Sequence, residues 1–264
     1  MKEYYNLYKG AWIFSGESHF ERKLLNNSAL LLLGRGGVMV RNVYDFDCRE
    51  ETSFWYVIKD SFGGMEELSS KMRNQVKKCF KTMRVERISS ECLLSEGYEV
   101  YVEAAENYRV KAVPPTKEEF EHRIKNSDEN EYWGVFDIES GKLVAFSMNA
   151  VREECCEYRT MKAFPKYQKL YAYYGLIYEM NRYYLEERKL KYVNDGARSI
   201  TNHSNIQPFL IEKFNFRKAY CHLDITYKWW LRCIINVLYP FRSVIPIRQV
   251  KALLNMEAMA RGQI

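Results

Sequence analysis

No run in this sequence is long and apolar enough to cross a bilayer. The early run at residues 29–33 has five residues where about twenty are needed. Met1-Lys2-Glu3-Tyr4-Tyr5 lacks the apolar core of a signal peptide, so a protein that is not secreted is expected. The seven cysteines, at 48, 79, 92, 155, 156, 221 and 233, are odd in number and irregular in spacing, which suits reduced cytoplasmic thiols better than a disulfide framework. None has zinc-site spacing, because Cys155 and Cys156 are adjacent and no second pair follows, so no metal is expected. Gly34-Arg35-Gly36-Gly37 lacks the Gly-Lys-Ser/Thr ending and the following helix of a phosphate loop; a hairpin turn is expected there.

What is present is globular. Of 264 residues, 47% are hydrophobic and 28% charged, which excludes a disordered chain and is enough for one large domain, or one of about 150 residues with an extension. Aromatics reach 15%, with 21 tyrosines, whose apolar ring and polar hydroxyl suit half-buried strands and wet pockets. The net charge of +6 permits anionic ligands such as phosphates without demanding nucleic acid.

The first 60 residues read as short strands and turns, with apolar runs at 29–33, 38–41 and 54–58. A helix over 65–83 follows, with Leu68, Met72, Val76, Cys79, Phe80 and Met83 on its buried face. Arg73, Lys77, Lys81 and Arg84 form a stripe on another face, either a solvated surface or a contact for the phosphate groups of a carrier, nucleotide, tRNA or membrane. From residue 85 the order is regular: a strand at 85–88, a helix at 93–109, and a helix opened by the capping-box pattern Thr116-Lys117-Glu118-Glu119. Two strands at 132–138 and 142–151 are joined by Glu139-Ser140-Gly141, and a third strand runs to 164. A helix at 171–188, a strand at 192–195, a helix at 205–214 and a strand at 219–227 complete it.

That order and three segments carry a family resemblance. Residues 204–216 end in Glu212-Lys213-Phe214-Asn215-Phe216 and are similar to the late helix of GNAT acyltransferases, with Asn215 at a position where Gly closes the helix. The hairpin at 133–148 resembles that family's central strands. Pro165-Lys166-Tyr167-Gln168 resembles the start of its phosphate-binding motif, although Tyr171 and Tyr173 stand where glycines are usual. Ile211 likewise stands where a general-acid Tyr is common. The basic segment 70–78 is similar to a helix preceding the catalytic fold in Fem-type aminoacyl transferases and related acyltransferases of polysaccharide loci.

The resemblance implies an α+β fold, layered α/β/α: a mixed sheet flanked by helices at 85–227, an α+β extension at 1–84, and an aromatic tail at 228–264. It implies N-acyl transfer from acetyl-CoA or another acyl-CoA to an amine, such as one on a cell-envelope precursor. The alternatives are a binding module without catalysis and transfer from aminoacyl-tRNA. On the donor side it sets Met161, Lys162, Ala163, Gln168, Tyr171, Ala172 and Asn205. Glu157 and Asp195 are the carboxylates nearest the expected opening between strands. The polar loop 194–205 follows a strand end, where open α/β sheets gather ligands, and offers His203 for proton transfer and Arg198 and Asn202 for acceptor binding. Ser204 or Asn205 is expected to cap the next helix. Cys155 and Cys156 are expected to be structural, with no nearby His to activate a thiolate. The segment 229–241 is apolar and aromatic, either packed on the domain or a partner subunit, or lying at a membrane surface beside Arg232, Arg242 and Arg248, which would make a cytoplasmic protein peripheral to the membrane.

Overall fold

The computed structural model describes residues 4–20, 22–106, 113–127, 129–200 and 205–264. Its elements are, in chain order, β1 (Tyr5–Tyr8), β2 (Ala11–Phe14), α1 (Asn26–Gly34), β3 (Met39–Tyr44), β4 (Phe54–Lys59), α2 (Ser70–Thr82), β5 (Met83–Ile88) and α3 (Ser90–Glu106). There follow α4 (Lys117–Lys125), β6 (Asn130–Asp137), β7 (Leu143–Val151), β8 (Cys155–Ala163), α5 (Pro165–Gln168) and α6 (Ala172–Asn181). The last are β9 (Tyr192–Ala197), α7 (Ile206–Phe214), β10 (Arg217–Tyr227), α8 (Trp229–Leu238) and α9 (Arg248–Ala260). The chain divides into two compact units, one of Val57–Gly196 with His203–Arg217, the other of Met1–Tyr56, Ala197–Asn202 and Lys218–Ile264.

In the first of these units, β5, β6, β7 and β8 pair antiparallel in that order, and β9 joins β8 in parallel. Strand β7 is buried over nearly its whole length, so it needs apolar cover on both faces. Phe146 and Met148 point into a cluster with Leu93, Val100, Phe120 and Ile124 of α3 and α4. Ser147 and Asn149 alternate to the other face, where Asn149 Nδ2 lies 3.1 Å from Met180 Sδ of α6. These polar side chains are tolerable in the core because they are satisfied: Ser147 Oγ donates to Asn149 Oδ1 at 2.5 Å. After α6 the helix widens into a π-helical segment, Arg182–Glu187, that turns Tyr184 inward. The Tyr184 hydroxyl accepts from Trp133 Nε1 at 3.0 Å and from Asn149 Nδ2 at 3.4 Å, and donates to Glu131 at 3.2 Å.

Helix α2 begins at Ser69, whose hydroxyl accepts from the Met72 amide, and α4 begins in the expected capping box, Thr116 with Glu119. Asn215 ends α7 in the left-handed conformation at φ 56°, as its place in the Gly position suggested. Helices α2 and α6 approach so closely that a Cβ on Gly175 would lie 2.3 Å from Cys79 Sγ. Any side chain at 175 would have to displace that sulfur.

In the other unit, β1 and β2 form a hairpin, β2 runs parallel to β3, and β3 pairs antiparallel with β10. Ala29, Leu32 and Leu33 of α1 pack with Tyr5, Trp12 and Val40. The apolar run at 29–33 is therefore helix and not the expected strand. A Leu-rich run without β-branched residues has better helix than strand propensity, and periodicity alone does not separate the two over five residues. Gly34-Arg35-Gly36-Gly37 accordingly links a helix to a strand and is not a hairpin turn. Gly36 and Gly37 both take positive φ there. The helix expected at 171–188 is also corrected: α6 begins at Ala172 and gives way to the π-helical segment at Arg182.

Candidate functional site

Strand β8 pairs with β7 from Cys156 to Ala163, but its parallel ladder with β9 has only three rungs: Cys155 with Tyr192, Cys156 with Val193 and Glu157 with Asn194. The reason lies two residues on. Opposite β7, Met148 faces Thr160 and Asn149 faces Tyr158, so Arg159 is an extra, bulged residue. A bulge bends its strand and sharpens the local twist, and here it coincides with the end of the β8–β9 ladder. Main-chain groups of Met161, Lys162 and Ala163 thus lie beyond the pairing, on the segment expected to face a donor.

The carboxylates gather at this opening. Asp195 is half-buried near the end of β9, and burial pushes its carboxyl up to about 7. The neighbouring charge of Glu157 adds to the rise, while a hydrogen bond from the Gln207 side chain on α7 opposes it. Glu157 itself pairs with Arg159 at 3.3 Å. Gly196 turns the chain at φ 83°, its amide donating to Asn194 Oδ1 at 2.8 Å, and a Cβ there would sit 3.9 Å from Glu157 Oε1. A carboxyl poised near neutral pH, beside a second carboxylate at a strand opening, has the acid–base properties of a proton carrier.

The donor-side residues are placed differently from one another. Gln168 Nε2 donates to the Ala163 carbonyl at 3.0 Å, closing the end of β8. Tyr171 adopts φ 71° immediately before α6, a left-handed conformation that glycine takes at no steric cost although a tyrosine stands there. Ala172, the first residue of α6, is fully buried. The Tyr173 hydroxyl donates to the Met161 carbonyl at 3.5 Å, occupying one main-chain group of the opening. Burial lowers the Lys162 ammonium, which lies 4.9 Å over the Tyr101 ring. Asn205 stands at the start of α7 but makes no side-chain capping bond. Thr201, Asn202, His203 and Ser204 lie outside the described residues.

Of the basic stripe, Arg73 is tied to the Leu68 carbonyl and the Ser70 hydroxyl, and Arg84 to Glu86. Lys77 and Lys81 are exposed. Lys78, beside them, reaches 5.9 Å over the Tyr171 ring, which brings the basic face of α2 to the start of α6. Arg198 belongs to the other unit, stacked 4.2 Å over Trp55 and donating to the carbonyls of Ser53 at 2.6 Å and Ile264 at 3.0 Å. Its guanidinium thus serves the fold. Cys155 and Cys156 are both buried, and burial pushes the Cys156 thiol up, which makes a thiolate nucleophile unfavourable. A hollow of about 290 Å³ in Arg198's unit is lined by Tyr44, Glu50, Glu51, His222 and Asp224. Its carboxylates would repel a phosphate-bearing donor, and it contains none of the expected site residues.

Sequence reasoning missed Gln207 and the bulge at Arg159. The first needs the register of α7 against β9, and the second needs the pairing of β8 with β7. Neither leaves a local signal.

A mixed sheet flanked by helices, in which a parallel pair parts at a bulge, is a GNAT-like fold. No family model and no curated protein matches the sequence. Among solved structures, FemX matches with a TM-score of 0.55 and 10% identity, over 79% of this chain and 77% of FemX. The C-terminal domain (DUF2156) of an Agrobacterium fabrum protein assigned as a lysylphosphatidylglycerol synthetase matches with a TM-score of 0.56 and 13% identity, over 89% of this chain and 84% of that one. The chain therefore has the GNAT-related fold in the form seen in FemX. At these identities the likeness is one of fold.

Proposed function

We propose that this chain is an acyltransferase that passes an acyl group from an activated, phosphate-bearing donor to an amine. The observation that carries the reading is Asp195, a carboxyl held at about 7 where β8 and β9 part. In the reaction the amine nitrogen forms a bond to the acyl carbon and the carbon–sulfur or carbon–oxygen bond to the donor breaks. Asp195 accepts the proton released from the amine, and the leaving group takes up a proton. Burial keeps the Asp195 proton affinity high, with a smaller contribution from Glu157, and the Gln207 side chain hydrogen-bonds the carboxyl. Donor phosphates would meet the start of α6 and the exposed lysines of α2, Lys77, Lys78 and Lys81, the second of which lies over the Tyr171 ring.

An acyl-CoA is the first donor to test, because the opening beyond Glu157 suits an extended pantetheine arm. The Tyr173–Met161 contact and the tyrosine at the tight turn favour a second donor, aminoacyl-tRNA, which needs the basic helix more than a pantetheine groove. Calorimetric titration with acetyl-CoA, CoA and bulk aminoacylated tRNA separates them. Micromolar binding of acetyl-CoA supports the thioester donor. Binding of tRNA that falls steeply between about 50 and 200 mM salt supports the ester donor. Binding of neither overturns the transferase reading and leaves a binding module.

A further inference from the structure

Helix α8 is apolar on two opposite sides, and only one of them is covered. Leu231, Ile235 and Tyr239 form the inner side and are buried. That side is anchored to α9 by Glu257, itself only 3% exposed, which accepts from Tyr227 at 2.9 Å, from Arg261 at 2.8 Å and from Arg232 at 3.5 Å. Arg261 also lies 4.0 Å over the Tyr239 ring. The helix is thereby held in one rotation, and its outer side is displayed. On it stand Trp229, Trp230, Ile234 and Val237, continued by Phe241 and Val244; Trp229 is 80% exposed, Val237 67% and Val244 74%. An apolar row of this length on an anchored helix is not an incidental scatter of surface residues.

The charge around the row says what covers it. Residues 228–256 contain five basic residues, Lys228, Arg232, Arg242, Arg248 and Lys251, and no acidic one. Arg232 shares Glu257 with Arg261, and the other four cations flank the apolar row in sequence, at the start of α8, in the following segment and at the start of α9. A second copy of this chain meeting the same surface across a two-fold axis would bring those cations against one another. An anionic bilayer instead offers acyl chains to the apolar row, headgroup charge to the cations, and an interface in which indole rings are at their most favourable. We propose that the outer side of α8, with the segment leading to α9, docks this protein on an anionic phospholipid surface. Trp229 and Trp230 enter the acyl boundary, and Lys228, Arg242, Arg248 and Lys251 face headgroup phosphates. This is peripheral binding, since no helix among the described residues is long and apolar enough to cross a membrane.

The test is co-flotation of the full chain with vesicles of phosphatidylcholine alone and of phosphatidylcholine with about 30 mol% phosphatidylglycerol. The expected result is at least about tenfold stronger partition onto the anionic vesicles, weakening as salt is raised. The double substitution Trp229→Ser, Trp230→Ser should lower that partition at least about tenfold while leaving the thermal melt unchanged, because both side chains are exposed. Arg248→Glu with Lys251→Glu provides a second variant that leaves the apolar row intact and should abolish the preference for anionic vesicles. Absence of binding to either vesicle, equal binding to both, or binding that survives the tryptophan substitutions overturns the proposal. So does a concentration-dependent dimer that those substitutions dissolve, which would assign the surface to a second copy.

Discussion

Asp195 combines a carboxyl pushed up to about 7 with a position where β8 and β9 part, and two consequences follow at the scale of that side chain. If it accepts the proton from the acceptor amine, kcat/KM rises with pH to a plateau with an apparent pKa near 7. Asp195→Asn should then lower kcat/KM by about 10²–10⁴ and remove that limb of the profile, measured as initial rates from pH 5 to 9. The effect on stability has the opposite sense. The folded carboxyl binds its proton at about 7 against an ordinary value of 3.8, so the native state holds the proton more tightly than the unfolded chain. Stability due to this group therefore falls as pH rises from about 4 to about 7, and the full cost remains above it. Urea melts should show Asp195→Asn more stable than the parent at pH 8, on the order of 2 kcal/mol after allowance for partial exposure, with the two converging near pH 4. Tyr184 is a contrasting case. Its hydroxyl serves Trp133, Asn149 and Glu131 at once, so Tyr184→Phe removes three hydrogen bonds, among them the acceptor of the buried Trp133 Nε1, and should cost about 1–3 kcal/mol by the same melts.

At the scale of elements, the contact between α2 and α6 is the tightest constraint described. With 2.3 Å between the position of a Gly175 Cβ and Cys79 Sγ, Gly175→Ala should destabilise by about 1–3 kcal/mol even though alanine favours helix. Adding Cys79→Ala removes the obstructing sulfur, so the double variant should recover a substantial part of that loss, a non-additivity that a double-mutant cycle on urea melts would read directly. The elements also show what the sequence made legible. Helix α4 announced itself through Thr116 and Glu119, the β6–β7 hairpin through Gly141, and the end of α7 through Asn215, because each depends on residues within a few positions of one another. Strands β1 and β2 are four residues each, too short for a period of two to register, and they stand only by pairing. The bulge at Arg159 is a relation between two strands and is absent from either one alone.

For the molecule as a whole, the same division separates the fold from the candidate site. Periodicity between residues 85 and 227 carries the order of strands and helices, and Glu157 and Asp195 can be selected as carboxylates at strand ends. The fixing of Asp195 by Gln207 and the use of Arg198 by Ser53 and Ile264 are contacts between residues far apart in the chain. Charge and residue type alone single out Arg198 as a candidate ligand holder; its contacts with Ser53, Ile264 and Trp55 could not be read from the sequence. The thiols offer a test of the whole packing. Cys79, Cys155, Cys156 and Cys221 are buried, Cys48 and Cys92 half-buried, and Cys233 exposed, each as a thiol outside any disulfide. Ellman titration of the native protein should therefore show one promptly reactive thiol, lost on Cys233→Ser, and the four buried ones only as the chain unfolds.

The π-helical segment Arg182–Glu187 bears on descent as well as on packing. Its hydrogen bonds, such as Arg188 amide to Tyr183 carbonyl at 2.8 Å, reach back five residues instead of four, which is what a helix does when it absorbs one inserted residue without shifting either end. Homologues one residue shorter at this point are expected to carry an unbroken α-helix there. Their side chain in the Tyr184 lineage would be rotated off the Trp133–Asn149–Glu131 cluster, so the length of a single helix, read from aligned genomes, dates the arrival of that hydroxyl in the core.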